Sequence, residues 1–167
     1  EPRIRVGVWK NPEKGVEFVS SDEIYTVFDG GTMMGTVPPG TRVSMWQTKG
    51  MFYFKGADVE FSTGNFIRLV PANNPHAVFR LVNFERLVTY RGKQSFNAYR
   101  GAMEYRATRN NDAVYVINDL LFEDYIAGIA ETSNEAHMEY MKAILTAART
   151  YGYYMQNHPS TQGKVFD

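Results

Sequence analysis

Near the C-terminal end a carboxylate, Glu131, opens a helical stretch along which Lys142 and Arg149 sit two turns apart, either charged trim on a core helix or one wall of an active site. Glu131 is followed eleven residues later by Lys142, and Lys142 seven residues later by Arg149. Seven residues are nearly two helical turns, so on a helix Lys142 and Arg149 lie almost in line along one edge. A carboxylate just ahead of such a helix can donate or accept a proton if its pKa is raised, and an arginine fork suits carboxylates. The plain reading of the same residues is a helix-start acid favoured by the dipole and two border cations whose stems cover apolar surface.

The elements that must position these residues can be read from periodicity. In residues 132–156, Met138, Met141, Ile144/Leu145, Ala148, Tyr151/Gly152 and Met155 recur at steps of three or four, the pattern of an amphipathic helix. Thr132 and Glu135 fit a capping box, with Ser133 and Asn134 as competing caps, and "NHPS" closes the helix. Ile144 and Ala148 are mid-stripe and are expected to be buried. Upstream, "DLLFEDYIAGIA" spaces Leu120, Leu121, Tyr125 and Ile129 as a short helix stopping near Gly128.

The first two thirds read as strands. Ile4, Val6 and Val8 alternate with Arg3, Arg5 and Gly7. Asp29-Gly30-Gly31 and Lys49-Gly50 are hairpin turns between apolar runs, "VPPGTRV" and "FSTGNFIRLVP" add turns, and 96–118 reads as a long hairpin turning at Asn110-Asn111. Consecutive strands with short turns favour antiparallel sheets. The fold class is therefore α+β: an antiparallel β-rich N-terminal two thirds, then a short helix and a long amphipathic helix carrying the candidate site. The chain reads as one domain over residues 1–167, with a β-rich subregion 1–95 and a hairpin-plus-helix segment 96–157.

Composition narrows the function classes. Eighteen basic residues balance eighteen acidic ones, which argues against nucleic acid as a partner. The absence of cysteine removes disulfides, thiolate metal sites and cysteine nucleophiles. His76, His137 and His158 lack metal-ligand spacing, so neither a metal nor another cofactor is expected. Glu123 and Asp124 are candidates for a second acid, with a salt bridge to a helix cation as the plainer reading. No apolar run is long enough to span a membrane, and "EPRIRVGVW" does not read as a signal peptide but fits the start of a mature or trimmed chain.

The strings "VYVINDLLFEDYIAGIAE" and "MKAILTAARTY" resemble the SpoIID/LytB family, named for the stage II sporulation protein D, and "AYRGAMEYR" is similar to a strand of that family. The resemblance is strongest from about Tyr99 to Tyr151. It implies peptidoglycan chemistry: glycan-strand cleavage by a lytic transglycosylase, with Glu131 as the catalytic acid and Lys142, Arg149 and Tyr151 lining the glycan groove. It also implies the alternative of a non-catalytic, LytB-like amidase enhancer that binds glycan and acts with other cell-wall hydrolases, and an extracytoplasmic location. The sequence departs from the family where Ala130 replaces Ser and Thr132-Ser133 replace Met-Pro around the glutamate, and where Ile144 replaces Gln. The family domain is expected to continue beyond the long helix with strands that these 167 residues lack.

Overall fold

The computed structural model describes residues 1–88, 92–94, 96–110, 113–129 and 135–158. Its strands, in chain order, are β1 (Arg3–Lys10), β2 (Val16–Ser20), β3 (Tyr25–Asp29), β4 (Thr32–Val37), β5 (Val43–Thr48), β6 (Met51–Gly56), β7 (Val59–Thr63), β8 (Ile67–Pro71), β9 (Val78–Leu81), β10 (Arg86–Val88), β11 (Gly92–Gln94), β12 (Ala98–Arg100), β13 (Ala102–Ala107) and β14 (Val114–Leu121). Two helices follow, α1 (Phe122–Ala127) and α2 (Met138–Asn157). One six-stranded sheet runs β1-β14-β13-β8-β3-β4 and the other β12-β9-β2-β5-β6-β7, while β10 and β11 form a separate pair. Every pairing is antiparallel.

The two large sheets share one core. Val16, Phe18, Met45, Phe54 and Phe79 from one sheet meet Tyr25, Val27, Ile67, Leu69 and Met103 from the other, all of them essentially inaccessible to water. The Phe18 ring packs edge-on to Tyr25 across the layers, and Phe52 does the same with Tyr105. Each such buried aromatic side chain contributes about 2–3 kcal/mol through removal of apolar area. The alternation that marks β2 puts Val16, Phe18 and Ser20 inward, which fixes its register because a one-residue slip would turn that set to solvent.

The expected turns have physical causes in the backbone. Lys49 and Gly50 both have positive φ (51° and 82°), as a two-residue hairpin turn requires, and they join β5 to β6. Gly30, at φ 55°, starts the turn joining β3 to β4. The turns at Pro38–Gly40 and Gly64 instead carry the chain from one sheet to the other.

The long hairpin expected over 96–118 is shorter than its sequence pattern. Ala102 to Ala107 pair with Asp119 to Val114, but β12 pairs with β9 in the opposite sheet. The break falls at Gly101, whose φ is 85° and where a Cβ would sit 2.7 Å from the Asp119 carbonyl oxygen. Only glycine allows that corner. The buried Tyr25 hydroxyl donates to the Gly101 carbonyl at 2.9 Å and holds it.

The outer face of the β1-containing sheet is covered by charge. Glu104 and Asp119, both buried, are gripped by four arginines from three other positions along the sheet and from β13 itself. Arg5 donates to Glu104, Arg68 lies 3.5 Å from it through Nε, and Arg106 lies 3.5 Å from it through Nη1. Arg3 donates through Nε to Asp119 Oδ1 at 2.7 Å, and Arg68 donates through Nη2 to Asp119 Oδ2 at 2.6 Å. Buried carboxylates are tolerated only when paired in this way.

Candidate functional site

The chain leaves the sheet through β14 and turns directly into α1. Leu120 and Leu121, expected in the helix, finish the strand instead, because Arg3 and Ile4 of β1 pair with them. Phe122 and Ile126 turn inward, Glu123 and Asp124 occupy the first turn where the helix dipole favours acids, and Gly128 caps the end. The Asp124 side chain is only 8% exposed: His76 Nδ1 approaches Oδ2 at 2.7 Å and Arg100 Nη1 donates to Oδ1 at 3.0 Å. Its partners are therefore a loop residue and a strand residue rather than a cation of the long helix. Nothing in the local sequence marks His76 for this contact, which spans 48 positions.

Glu123 does take a cation from the long helix. Arg149 donates through Nη1 and Nη2 to the two Glu123 carboxylate oxygens at 2.5 and 2.7 Å, a two-pronged fork. The hydrogen bonds from this carboxylate, and then its charge, push the Arg149 pKa further above its ordinary value. Arg149 thus stays a permanent cation with a fixed orientation.

Three residues later on α2, Gly152 lies against α1. A Cβ there would be 3.2 Å from Cε2 and Cζ of Phe122 and 3.4 Å from Tyr125 Cε1, so the missing side chain allows the helices to touch. One turn on, Gln156 Nε2 donates to the Arg3 carbonyl at 2.6 Å. The C-terminal half of α2 is docked by these contacts. Its stripe is shallower than expected: Ile144 and Ala148 are half-buried, and Gly152 is the only buried residue of the helix. The reason is geometric, since a six-residue helix and one strand end offer α2 too little surface to cover a face of 20 residues.

The start of α2 also differs from expectation. The helix begins at Met138, and His137 is its N-cap, with Nδ1 accepting from the Glu139 amide at 3.3 Å. The expected caps Thr132, Ser133 and Asn134 lie outside the described residues, as does Glu131. Lys142 pairs with Glu139 at 2.9 Å, and both are well exposed. Lys142 and Arg149 share one flank of α2, about 10 Å apart along the axis. Tyr151, 58% exposed, lies two residues beyond Arg149. Two residues turn the helix by about 200°, so Tyr151 projects from the opposite flank.

Two cavities of the β-rich part are lined, among the described residues, by no residue of α2. One, of about 510 Å³, lies at the far end of the sandwich among Gln47, Asn65, Phe66, Arg106 and Thr108. The other, of about 350 Å³, is bordered by Arg3 and Arg68. Among the described residues no group of three or more His, Asp or Glu side chains is placed to hold a metal. No described helix is long and apolar enough to cross a membrane.

Residues 110–167 match the family model of SpoIID, the stage II sporulation protein. The match supports membership of the SpoIID family. It spans β14, α1 and α2, the elements that carry Glu123, Lys142 and Arg149, and leaves residues 1–109 outside it. No curated protein and no solved structure matches the chain.

Proposed function

We propose that this SpoIID-like protein acts on peptidoglycan outside the cytoplasm and cleaves its glycan strands as a lytic transglycosylase. Glu131 is the general acid and then the general base. It protonates the leaving glycosidic oxygen and afterwards helps the muramic 6-hydroxyl attack the same anomeric carbon, leaving a 1,6-anhydro end. The nucleophile belongs to the substrate, so one carboxylate suffices where hydrolysis needs two. The carrying observation is the Glu131, Lys142, Arg149 spacing inside the matched segment, with both cations on one exposed flank of α2. Arg149 and Lys142 would receive substrate carboxylates, and Tyr151 would meet glycan only where a strand passes over the helix to its other flank. Glu123 and Asp124 are engaged in ion pairs, which disfavours either as the second acid of a hydrolase.

A second reading is a glycan-binding protein that enhances a partner hydrolase. It is favoured by the Arg149 fork being already filled by Glu123. One experiment separates the two. The protein is incubated with peptide-free glycan strands in ¹⁸O-labelled water. Fragments ending in 1,6-anhydromuramic acid, free of label and lost in Glu131→Gln, are the expected result. Labelled reducing ends would refute the transglycosylase in favour of hydrolysis. No products, with equal glycan binding by wild type and Glu131→Gln, would leave the enhancer reading.

A further inference from the structure

Two arginines of the lattice on the outer face of the β1-containing sheet, Arg3 and Arg68, share one carboxylate at the border of a cavity.

Arg3 and Arg68 clamp the same Asp119 carboxylate from either side, one on each oxygen, and Arg3 Nη2 also donates to the Asp119 carbonyl at 2.8 Å. These bonds fix the planes of both guanidiniums. The Nη1 group of each takes no part in them. Both side chains are 36% exposed, and both border the cavity of about 350 Å³. Among the described residues the rest of its lining is Val70, Pro71, Asn73 and Pro75, apolar but for one amide and without an acid. Asn73 is held in place by its Nδ2 bond to Glu23 at 3.1 Å.

We propose that this cavity is a binding site for a small organic carboxylate. The ligand's carboxylate would take both guanidiniums through their outward N–H groups, and its carbon skeleton would lie on Val70 and the two prolines. Pre-oriented forks lose little side-chain entropy on binding, the feature that distinguishes arginine from lysine at such places. A bare inorganic anion would use the cations and leave the apolar walls uncovered, so a carboxylate with carbon attached fits the lining better. The site is separate from the α2 flank and does not depend on the reading given to Glu131.

The test uses the full chain with acetate, lactate and phosphate titrated at constant ionic strength against chloride. The readouts are the arginine Nε–Hε NMR signals and the thermal midpoint. Lactate is expected to shift the Arg3 and Arg68 signals saturably and to raise the midpoint, acetate to do so more weakly, and phosphate less than lactate. Arg68→Lys keeps the charge but loses the fork, and is expected to weaken lactate binding by about tenfold or more. Arg3→Lys, at the exposed edge of the lattice, serves the same purpose if Arg68→Lys does not fold. Arg42→Lys, an exposed pair with Glu17, is expected to bind as wild type does. Shifts that do not saturate, or that fall equally in Arg42→Lys, would overturn the site. Phosphate binding more tightly than lactate on the same signals would overturn the carboxylate assignment.

Discussion

Replacement of Gly152 tests whether α2 is held to the body of the protein at the point described. Glycine in a helix interior costs about 1 kcal/mol relative to alanine, so Gly152→Ala gains that amount from propensity alone. The added Cβ, however, falls 3.2 Å from two ring carbons of Phe122, and that ring, itself buried, must retreat by a few tenths of an ångström. The two effects are of similar size and opposite sign, and the alanine variant is expected to be within about 1 kcal/mol of wild type. Gly152→Leu is different. Its extra carbons have nowhere to go between the helices, and overpacking of this kind costs about 1–3 kcal/mol. The least costly relief is to lift α2 away. That would break the Arg149 fork on Glu123 and the Gln156 bond to the Arg3 carbonyl, which flank Gly152 on the same helix. Hydrogen exchange read by mass spectrometry is the assay. In Gly152→Leu, amides of 138–157 should lose protection while strands such as β8 and β13 keep theirs. Unchanged α2 protection would refute docking through Gly152. A matching loss throughout the sheets would refute the view that α2 is an appendage to an independently stable sandwich.

The remaining predictions concern the sandwich. Glu104→Gln removes the carboxylate that Arg5, Arg68 and Arg106 share, and should lower unfolding free energy in urea by about 3 kcal/mol, the low end for a broken buried pair because the guanidiniums reach water. The exposed Lys55–Glu60 pair is the control, and Glu60→Gln should change stability by no more than about 1 kcal/mol. Burial pushes the Tyr105 phenol from its ordinary 10.0 up to about 12, and the buried Tyr25 moves in the same direction, for which desolvation is the first cause and nearby Glu23 the second. A raised folded-state value favours the protonated fold, so this stability is fully present below pH 10 and is lost as pH rises through about 12. For Tyr105 the loss is about 3 kcal/mol. Urea midpoints of wild type should fall across that window, those of Tyr105→Phe should fall less, and identical slopes would refute the assignment.

Local chemistry was readable in the sequence where local sterics decide the outcome. Lys49-Gly50 and Gly30 need left-handed backbone, and both mark real turns between antiparallel strands. The stop at Gly128 and the three-four spacing of α2 were equally plain. Sheet membership was not readable, because alternation looks the same whichever sheet a strand joins. The 96–118 segment read as one hairpin until Gly101 diverts β12 to the opposite layer, where it pairs with β9. The depth of the α2 stripe was also hidden, since apolar spacing gives a direction for burial but not the size of the surface that receives it. Arg3 to Asp119 and Arg5 to Glu104 join residues 116 and 99 positions apart, so no spacing rule could connect them.

The same long-range pairing bears on how Arg149 can meet a ligand. Glu123 fills its fork, which at first sight removes it from any groove. Yet both partners are about half exposed, and exposed ion pairs contribute little net free energy, so a second carboxylate can compete for the guanidinium at small cost. Until it does, Glu123 holds the fork in one orientation. Glu123 itself is fixed by α1, whose neighbouring Asp124 is tied by His76 and Arg100 to the loop before β9 and to β12. The flank of α2 that carries Lys142 and Arg149 is therefore oriented by residues from the β-rich part of the chain, outside the segment that matches the family. Loss of the Asp124 contacts would leave Arg149 its charge and its place on the helix but remove the restraint on where that helix points.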